Sequence, residues 1–181
     1  MSKIILITGG SRSGKSAFAQ RLAEALPGPR AFVATCPVID PEMNERIRRH
    51  QQARSLCEWQ TFEESLDLAA AFHSACELPV ILVDCLTLWV NNVMYQAGQQ
   101  GKTVSEKEIA DRCRPMLEAA RGHGGTIIFV TNEVGMGLVP ETPLGRNFRD
   151  LAGRVNQTVA AVCDEVFFVA CGQPLKIKPQ N

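Results

Sequence analysis

A chain of 181 residues, 45% of them hydrophobic and 21% charged, has the size and composition of one globular domain, and we expect a single domain over residues 1–181. Its 19 basic and 19 acidic residues cancel, whereas nucleic-acid binders usually carry a basic excess, so we expect no nucleic-acid partner. The sequence contains no apolar stretch of the length that a secretory signal or a membrane span needs, and its seven cysteines form no CxxC pair. We therefore expect a cytoplasmic protein with reduced thiols and no zinc site.

Five short apolar runs predict buried parallel strands. Each run is rich in β-branched or aromatic residues and lacks alternation with polar residues, as expected of strands that are covered on both faces. In chain order they span residues 4–8, 31–35, 80–84, 127–131 and 166–169. The tail from residue 172 to residue 178 is expected to add a hairpin strand at the edge of the sheet.

Helical patterns separate these strands. They are predicted at residues 16–26, 42–54, 64–76, 105–121 and 146–161. The spacing of Thr61 and Glu64 suits a capping box for the third helix, and Pro115 is expected to kink or split the fourth. Alternation of strands and helices predicts an α/β sandwich with a mainly parallel sheet, in which ligands bind at the carboxyl ends of the strands.

The strongest motif is a glycine-rich loop between the first strand and the first helix. It fits the phosphate-binding pattern G-x-x-x-x-G-K followed by Ser or Thr at every position: Gly9, Gly10, Ser11, Arg12, Ser13, Gly14, Lys15 and Ser16. Glycines let backbone amides turn toward phosphate oxygens, and the helix N-terminus adds its positive dipole end. In such loops the lysine reaches the β- and γ-phosphates and the hydroxyl ligates Mg²⁺. The motif predicts binding of a nucleoside triphosphate and transfer of a phosphoryl or nucleotidyl group.

A phosphate-binding loop of this kind works with an acidic residue at the end of a neighbouring strand. The apolar run over residues 80–84 ends in Asp84, which is predicted to hold Mg²⁺ together with Ser16, directly or through water. An aspartate that caps a turn at the end of a strand is the alternative interpretation of the same residue.

His50 differs from the other two histidines in its neighbours. On a helix, Arg46, His50 and Arg54 are spaced i, i+4 and i+8 and share one face. Two guanidinium groups disfavour protonation of the imidazole, and a neutral imidazole is a usable nucleophile. The pattern fits a covalent nucleotidyl-transfer site, but charged runs of this kind are more often a solvated basic face, which here would carry a histidine by chance.

Together these residues resemble the bifunctional adenosylcobinamide kinase / adenosylcobinamide-phosphate guanylyltransferase family. The resemblance runs from about Ile4 to Lys178 and is most specific at residues 131–141, TNEVGMGLVPE. Further matching residues are Ala34-Thr35, Arg46-Ile47, His50, Arg54, the run 84–89, Arg146, Phe148-Arg149-Asp150, Gly153-Arg154 and Asn156-Gln157.

The resemblance implies a RecA-like P-loop fold and two reactions. Adenosylcobinamide is phosphorylated with ATP or GTP, and GMP then passes from GTP through a guanylyl-histidine to give adenosylcobinamide-GDP. It further implies Mg²⁺, a corrinoid substrate, and a homotrimer whose active site lies between neighbouring subunits.

The resemblance also assigns residues. His50 is implied as the nucleophile and Lys15 as the catalytic lysine, and nucleotide contacts are implied at the loop residues 9–16 and at Ala34, Thr35, Cys36, Gln51, Gln52, Ala53, Arg54, Glu63 and Asp84. The family usually has Pro directly after the arginine and Trp four residues beyond it. Here Arg54 is followed by Ser55, and Trp59 lies five residues beyond Arg54 instead of four. A loop that is one residue longer would shift the matching glutamate by one position, so Glu64 is the alternative to Glu63.

The residues alone leave other classes open. A different small-molecule kinase of the P-loop class explains the loop and Asp84, but it explains neither His50 nor the block at residues 132–140. A kinase without the transferase step and a nucleotide-switch ATPase are further alternatives. Asn132 and Glu133 end a strand at the ligand-binding edge, where Glu133 is either a site residue or a structural cap.

Overall fold

The computed structural model describes residues 2–36 and 59–179. Its strands are β1 (Lys3–Gly9), β2 (Arg30–Ala34), β3 (Trp59–Glu63), β4 (Val80–Asp84), β5 (Thr126–Val130), β6 (Glu165–Ala170) and β7 (Gln173–Lys178). They form one sheet in the order β3-β2-β4-β5-β1-β6-β7. Every neighbouring pair is parallel except β6 and β7, which form an antiparallel hairpin at one edge.

The helices cover both faces of this sheet. They are α1 (Lys15–Glu24), α2 (Leu68–Ser74), α3 (Leu86–Gln99), α4 (Glu106–Gly122) and α5 (Pro143–Val162), and a short 3-10 helix spans Val134–Met136. Helix α1 packs on one face, and helices α2 to α5 pack on the other. In β1, Ile4 and Leu6 are buried beneath the larger group while Ile5 and Ile7 are buried beneath α1, which explains why this strand is apolar at successive positions.

The five predicted strands and the hairpin at the C-terminal edge are confirmed, as is the three-layer α/β arrangement. Strand β3 and helix α3 were not predicted. The helix predicted at residues 42–54 lies outside the described residues. Within residues 2–36 and 59–179, no helix has both the length and the apolar character that crossing a membrane requires.

One local prediction is wrong, and one of the two alternatives predicted for Pro115 is excluded. Residues 61–63 belong to β3, so Thr61 cannot cap a helix. Helix α2 begins only at Leu68, where the Asp67 side chain accepts a hydrogen bond from the N–H of Ala70 at 3.0 Å. Pro115 does not split the fourth predicted helix, because α4 runs unbroken from Glu106 to Gly122, and a kink at the proline stays a prediction. The buried side chains of Cys113 and Met116 hold α4 against the core on both sides of the proline.

Leu151 tests the packing of α5 on the sheet, since its side chain is fully buried. Replacing Leu151 with Ala should lower the free energy of unfolding by about 2–5 kcal/mol, because buried carbon atoms are lost and a cavity remains. Leu144 lies on the same helix and is 71% exposed, so Leu144→Ala should change the free energy of unfolding by no more than about 0.5 kcal/mol. Urea unfolding followed by circular dichroism measures both values, and equal losses would contradict the packing described.

Candidate active site

The glycine-rich loop connects the end of β1 to the start of α1. Gly9 has a positive φ of 153°, and a side chain at this position would collide with the carbonyl oxygen of Val169 in β6. Gly14 caps α1 with a φ of 93°, and a Cβ atom there would lie 3.0 Å from the Cα atom of Gly172. Both positions therefore require glycine, and the loop packs directly against the β6–β7 hairpin.

Hydrogen bonds close the loop on itself and fasten it to the hairpin. The N–H of Ser13 and the Nζ atom of Lys15 both donate to the carbonyl oxygen of Gly10 at 3.2 Å. The N–H of Gly172 donates to the carbonyl oxygen of Ser13 at 2.8 Å. Lys15 is buried, and the Ser13 Oγ atom is buried without a hydrogen-bond partner in the described part of the chain. The loop thus holds a buried ammonium group and an unused hydroxyl.

The strand register brings several predicted residues to the same edge as the loop. Ala34 lies beside Glu63 on one side and beside Asp84 on the other, and Asp84 lies beside Val130 in β5. Thr35 is fully buried and exchanges two hydrogen bonds with the backbone of Cys85, at 2.8 and 2.7 Å. Cys36 follows it directly and is half-buried. The carboxyl ends of β2, β3 and β4 therefore lie at the sheet edge from which the loop starts, with β5 between β4 and β1.

The structure separates the roles of the two adjacent glutamates. One oxygen of the Glu64 carboxylate accepts hydrogen bonds from the N–H groups of Leu66 and Asp67 at 2.8 and 2.9 Å, so Glu64 shapes the turn that leads into α2. Glu63 is the last residue of β3 and is exposed at the edge. Of the two, Glu63 has its side chain available to a ligand.

Cys85 is the buried thiol of the site. Burial and, to a smaller extent, the charge of Asp84 raise the pKa of Cys85 to about 11, although backbone hydrogen bonds and the charge of Lys15 act in the opposite direction. The thiol remains protonated at neutral pH, which excludes a thiolate nucleophile at this position.

The sequence did not predict a buried polar network beneath the edge. Thr8, Thr87, Thr131 and Asn156 are each no more than 8% exposed. The Thr131 hydroxyl donates to Asn156 Oδ1 at 2.8 Å and lies 3.2 Å from the Thr87 hydroxyl. Thr8 and Asn156 both donate to the carboxylate of Glu133. A polar residue at the end of an apolar strand, and an asparagine on the apolar face of a helix, are the signals that mark such positions in a sequence.

The remaining predicted positions, His50 and Gln51, Gln52, Ala53 and Arg54, lie outside the described residues. The structure therefore places the loop residues 9–16, Ala34, Thr35, Cys36, Glu63 and Asp84 at one edge of the sheet, with Asp84 closer to the loop than Glu63 in the strand order, and it leaves the placement of the predicted nucleophile open.

Comparison with known proteins agrees with the family resemblance seen in the sequence. The sequence model of a family described as cobinamide kinase / cobinamide phosphate guanyltransferase matches residues 5–177. The chain is 41% identical to the bifunctional adenosylcobalamin biosynthesis protein CobU of Salmonella typhimurium, and the alignment covers 97% of this chain and 99% of that one. It is 40% identical to the protein CobP of Pseudomonas aeruginosa, which bears the same description, with 96% of each chain covered.

A solved structure supports the fold independently of close sequence similarity. The KaiC-like protein of Pyrococcus horikoshii superposes with a TM-score of 0.53 over 92% of this chain and 70% of that one, at 14% identity. This likeness shows the α/β fold that the two chains share and nothing about the substrate. Taken with the family match and with relatives that align along almost their whole length, it leads to one conclusion: the chain belongs to the cobinamide kinase / cobinamide phosphate guanyltransferase family.

Proposed function

We propose that this chain phosphorylates adenosylcobinamide with ATP or GTP and then transfers GMP from GTP to the new phosphate, giving adenosylcobinamide-GDP. One observation carries the proposal: a complete phosphate-binding loop lies at the same sheet edge as Asp84, in a chain of this family. Phosphoryl transfer depends mainly on positioning and on neutralising charge, which a loop with a buried lysine provides.

We infer that the triphosphate lies along residues 9–16. The backbone amides between Gly10 and the start of α1 and the ammonium group of Lys15 would bind its oxygens, and the unpaired Ser13 hydroxyl adds a further donor.

Ser16 and Asp84 would hold Mg²⁺ together with the phosphates, and the metal supplies neutralisation of the phosphate charge. Among the described residues, no group of three His, Cys, Asp or Glu side chains could hold a metal ion without such help. A donor set of one hydroxyl and one carboxylate beside a phosphate site fits Mg²⁺, which keeps most of its coordination sphere for phosphate and water.

We further propose that Ala34, Thr35, Cys36 and Glu63 contact the nucleoside part of GTP. Supporting this, the first three lie at and just beyond the end of β2, and Glu63 ends the strand next to it. Glu64 is the weaker candidate because its carboxylate is already bonded within the turn that precedes α2.

The proposed transferase reaction uses His50, which comes from the family resemblance, as do the contacts of Gln51, Gln52, Ala53 and Arg54. An imidazole nitrogen of His50 attacks the α-phosphorus of GTP, and pyrophosphate leaves. The phosphate oxygen of the corrinoid then attacks the same phosphorus and the bond to histidine breaks. Two displacements replace one difficult step, which is the advantage of covalent catalysis.

A homotrimer with its active site between subunits is part of the proposal. Supporting it, the segment that links β5 to α5 exposes large apolar side chains: Met136 is 73% exposed, Leu138 95% and Val139 65%. Exposed apolar groups that are contiguous in a chain are typical of contact surfaces.

Lys15 provides a test of the nucleotide site. Lys15→Ala should weaken binding of ATP and GTP and lower both activities by about 100-fold or more, because the charge that faces the phosphates is lost. Isothermal titration and steady-state assays measure the two effects. The matched control is Lys107→Ala on the exposed surface of α4, which should behave as the wild type. Unchanged binding in Lys15→Ala would place the triphosphate elsewhere.

His50 provides a test of the transferase reaction. The protein incubated with α-labelled GTP and Mg²⁺ and then denatured should retain label that survives base and is lost in acid, as a phosphoramidate does. His50→Ala should retain none, whereas His73→Ala, which changes an exposed histidine of α2, should label normally. If the wild-type protein retains no label, the transferase reaction is excluded and only the kinase reaction remains. If His50→Ala retains label, the nucleophile is another residue.

A further inference from the structure

Glu133 is tied to the phosphate-binding loop by its backbone. Beyond the end of β5, the N–H of Thr131 donates to the carbonyl oxygen of Ile7 at 3.0 Å, and the N–H of Glu133 donates to that of Gly9 at 3.2 Å. The pairing of β1 with β5 therefore continues past both strands. It fixes Glu133 beside the first residue of the loop.

The carboxylate of Glu133 is held through one of its two oxygens. Oε1 accepts hydrogen bonds from Thr8 Oγ1 and from Asn156 Nδ2, each at 2.8 Å. Oε2 has no hydrogen-bond partner within residues 2–36 and 59–179. One oxygen is thus anchored to buried donors, and the other is available to a ligand.

A purely structural role predicts a different set of contacts. Glu133 precedes the 3-10 helix, but its side chain makes no capping hydrogen bond to that helix. Both donors to its carboxylate are side chains, and the Asn156 amide is held in turn by the Thr131 hydroxyl at 2.8 Å. The network orients a carboxylate that the turn itself does not use, so the cap interpretation of Glu133 is not supported.

The first proposed reaction needs a group of this kind. An alcohol that attacks the γ-phosphorus must give up its proton, and a positioned carboxylate that accepts it accelerates such reactions by roughly 100- to 10,000-fold. Lys15 and the loop amides are donors and cannot take a proton from the alcohol. The carboxylate that the β1–β5 pairing fixes beside Gly9 is that of Glu133.

Building on the proposed function, we propose that Glu133 is the general base of the kinase reaction. Its Oε2 atom accepts the proton of the corrinoid hydroxyl while the hydroxyl oxygen forms a bond to the γ-phosphorus. The bond from that phosphorus to the bridging oxygen breaks, the nucleoside diphosphate leaves with the electron pair, and Glu133 later releases the proton to water.

The transferase reaction has no step of this type. Its first nucleophile is an imidazole nitrogen, and its second is the oxygen of a phosphate monoester, so no alcohol loses a proton. Glu133 should therefore matter for one reaction and not for the other, which gives an internal comparison within a single protein.

Glu133→Gln is the decisive variant because the amide oxygen of glutamine can still accept from Thr8 and Asn156. We expect kcat for cobinamide phosphorylation to fall by about 100-fold or more. The KM for the nucleotide and the amount of label retained from α-labelled GTP should both stay near the wild-type values. The matched control is Glu141→Gln, which changes an exposed glutamate nearby and should leave both reactions unchanged.

Three outcomes would overturn the inference. Wild-type phosphorylation by Glu133→Gln would show that no base acts at this position. A parallel loss of phosphorylation, labelling and nucleotide binding would show that Glu133 only supports the loop. A wild-type protein that labels on GTP but never phosphorylates cobinamide would remove the proposed kinase function and the base with it, and this result is distinguishable from the other two because the variant plays no part in it.

Discussion

The parallel pairing of β1 with β5 on one side and with β6 on the other is the constraint on which the site depends. It brings Gly9 so close to the backbone of Val169 that no side chain fits, and it continues through the hydrogen bonds that Thr131 and Glu133 donate to the β1 backbone. The loop is therefore positioned by backbone atoms of its neighbours.

The buried hydroxyls of Thr8 and Thr131 and the buried amide of Asn156 also fix the positions of the elements around the loop. Buried polar groups need partners, so Thr131 and Asn156 permit only a narrow set of arrangements between β5 and α5. Thr8 adds β1 to the same network through Glu133. The Glu133 side chain at the ligand-binding edge is thus oriented by hydrogen bonds from the buried residues Thr8 and Asn156. The packing of the core therefore determines where this carboxylate lies.

The sequence predicted what local patterns encode and missed what distant contacts decide. The loop was predicted residue by residue, because its glycines and its lysine are required at fixed spacing. Strand β3 was missed because Trp-Gln-Thr-Phe-Glu mixes polar and apolar residues, as edge strands often do. The neighbouring glutamates 63 and 64 are equivalent in the sequence, and only the fold shows which one bonds the following turn. The contact between Thr8 and Glu133 joins residues 125 positions apart, and no local pattern records it.

The hairpin that fastens the loop has a consequence for biosynthesis. The phosphate-binding loop lies within the first 16 residues, yet the backbone that packs against it comes from Val169 and Gly172, near the C-terminus. Strand β1 lies between strands that both come from the last third of the chain. During translation the loop emerges before these later segments and can reach its final shape only after them, because contacts between distant segments form only when both have been synthesised.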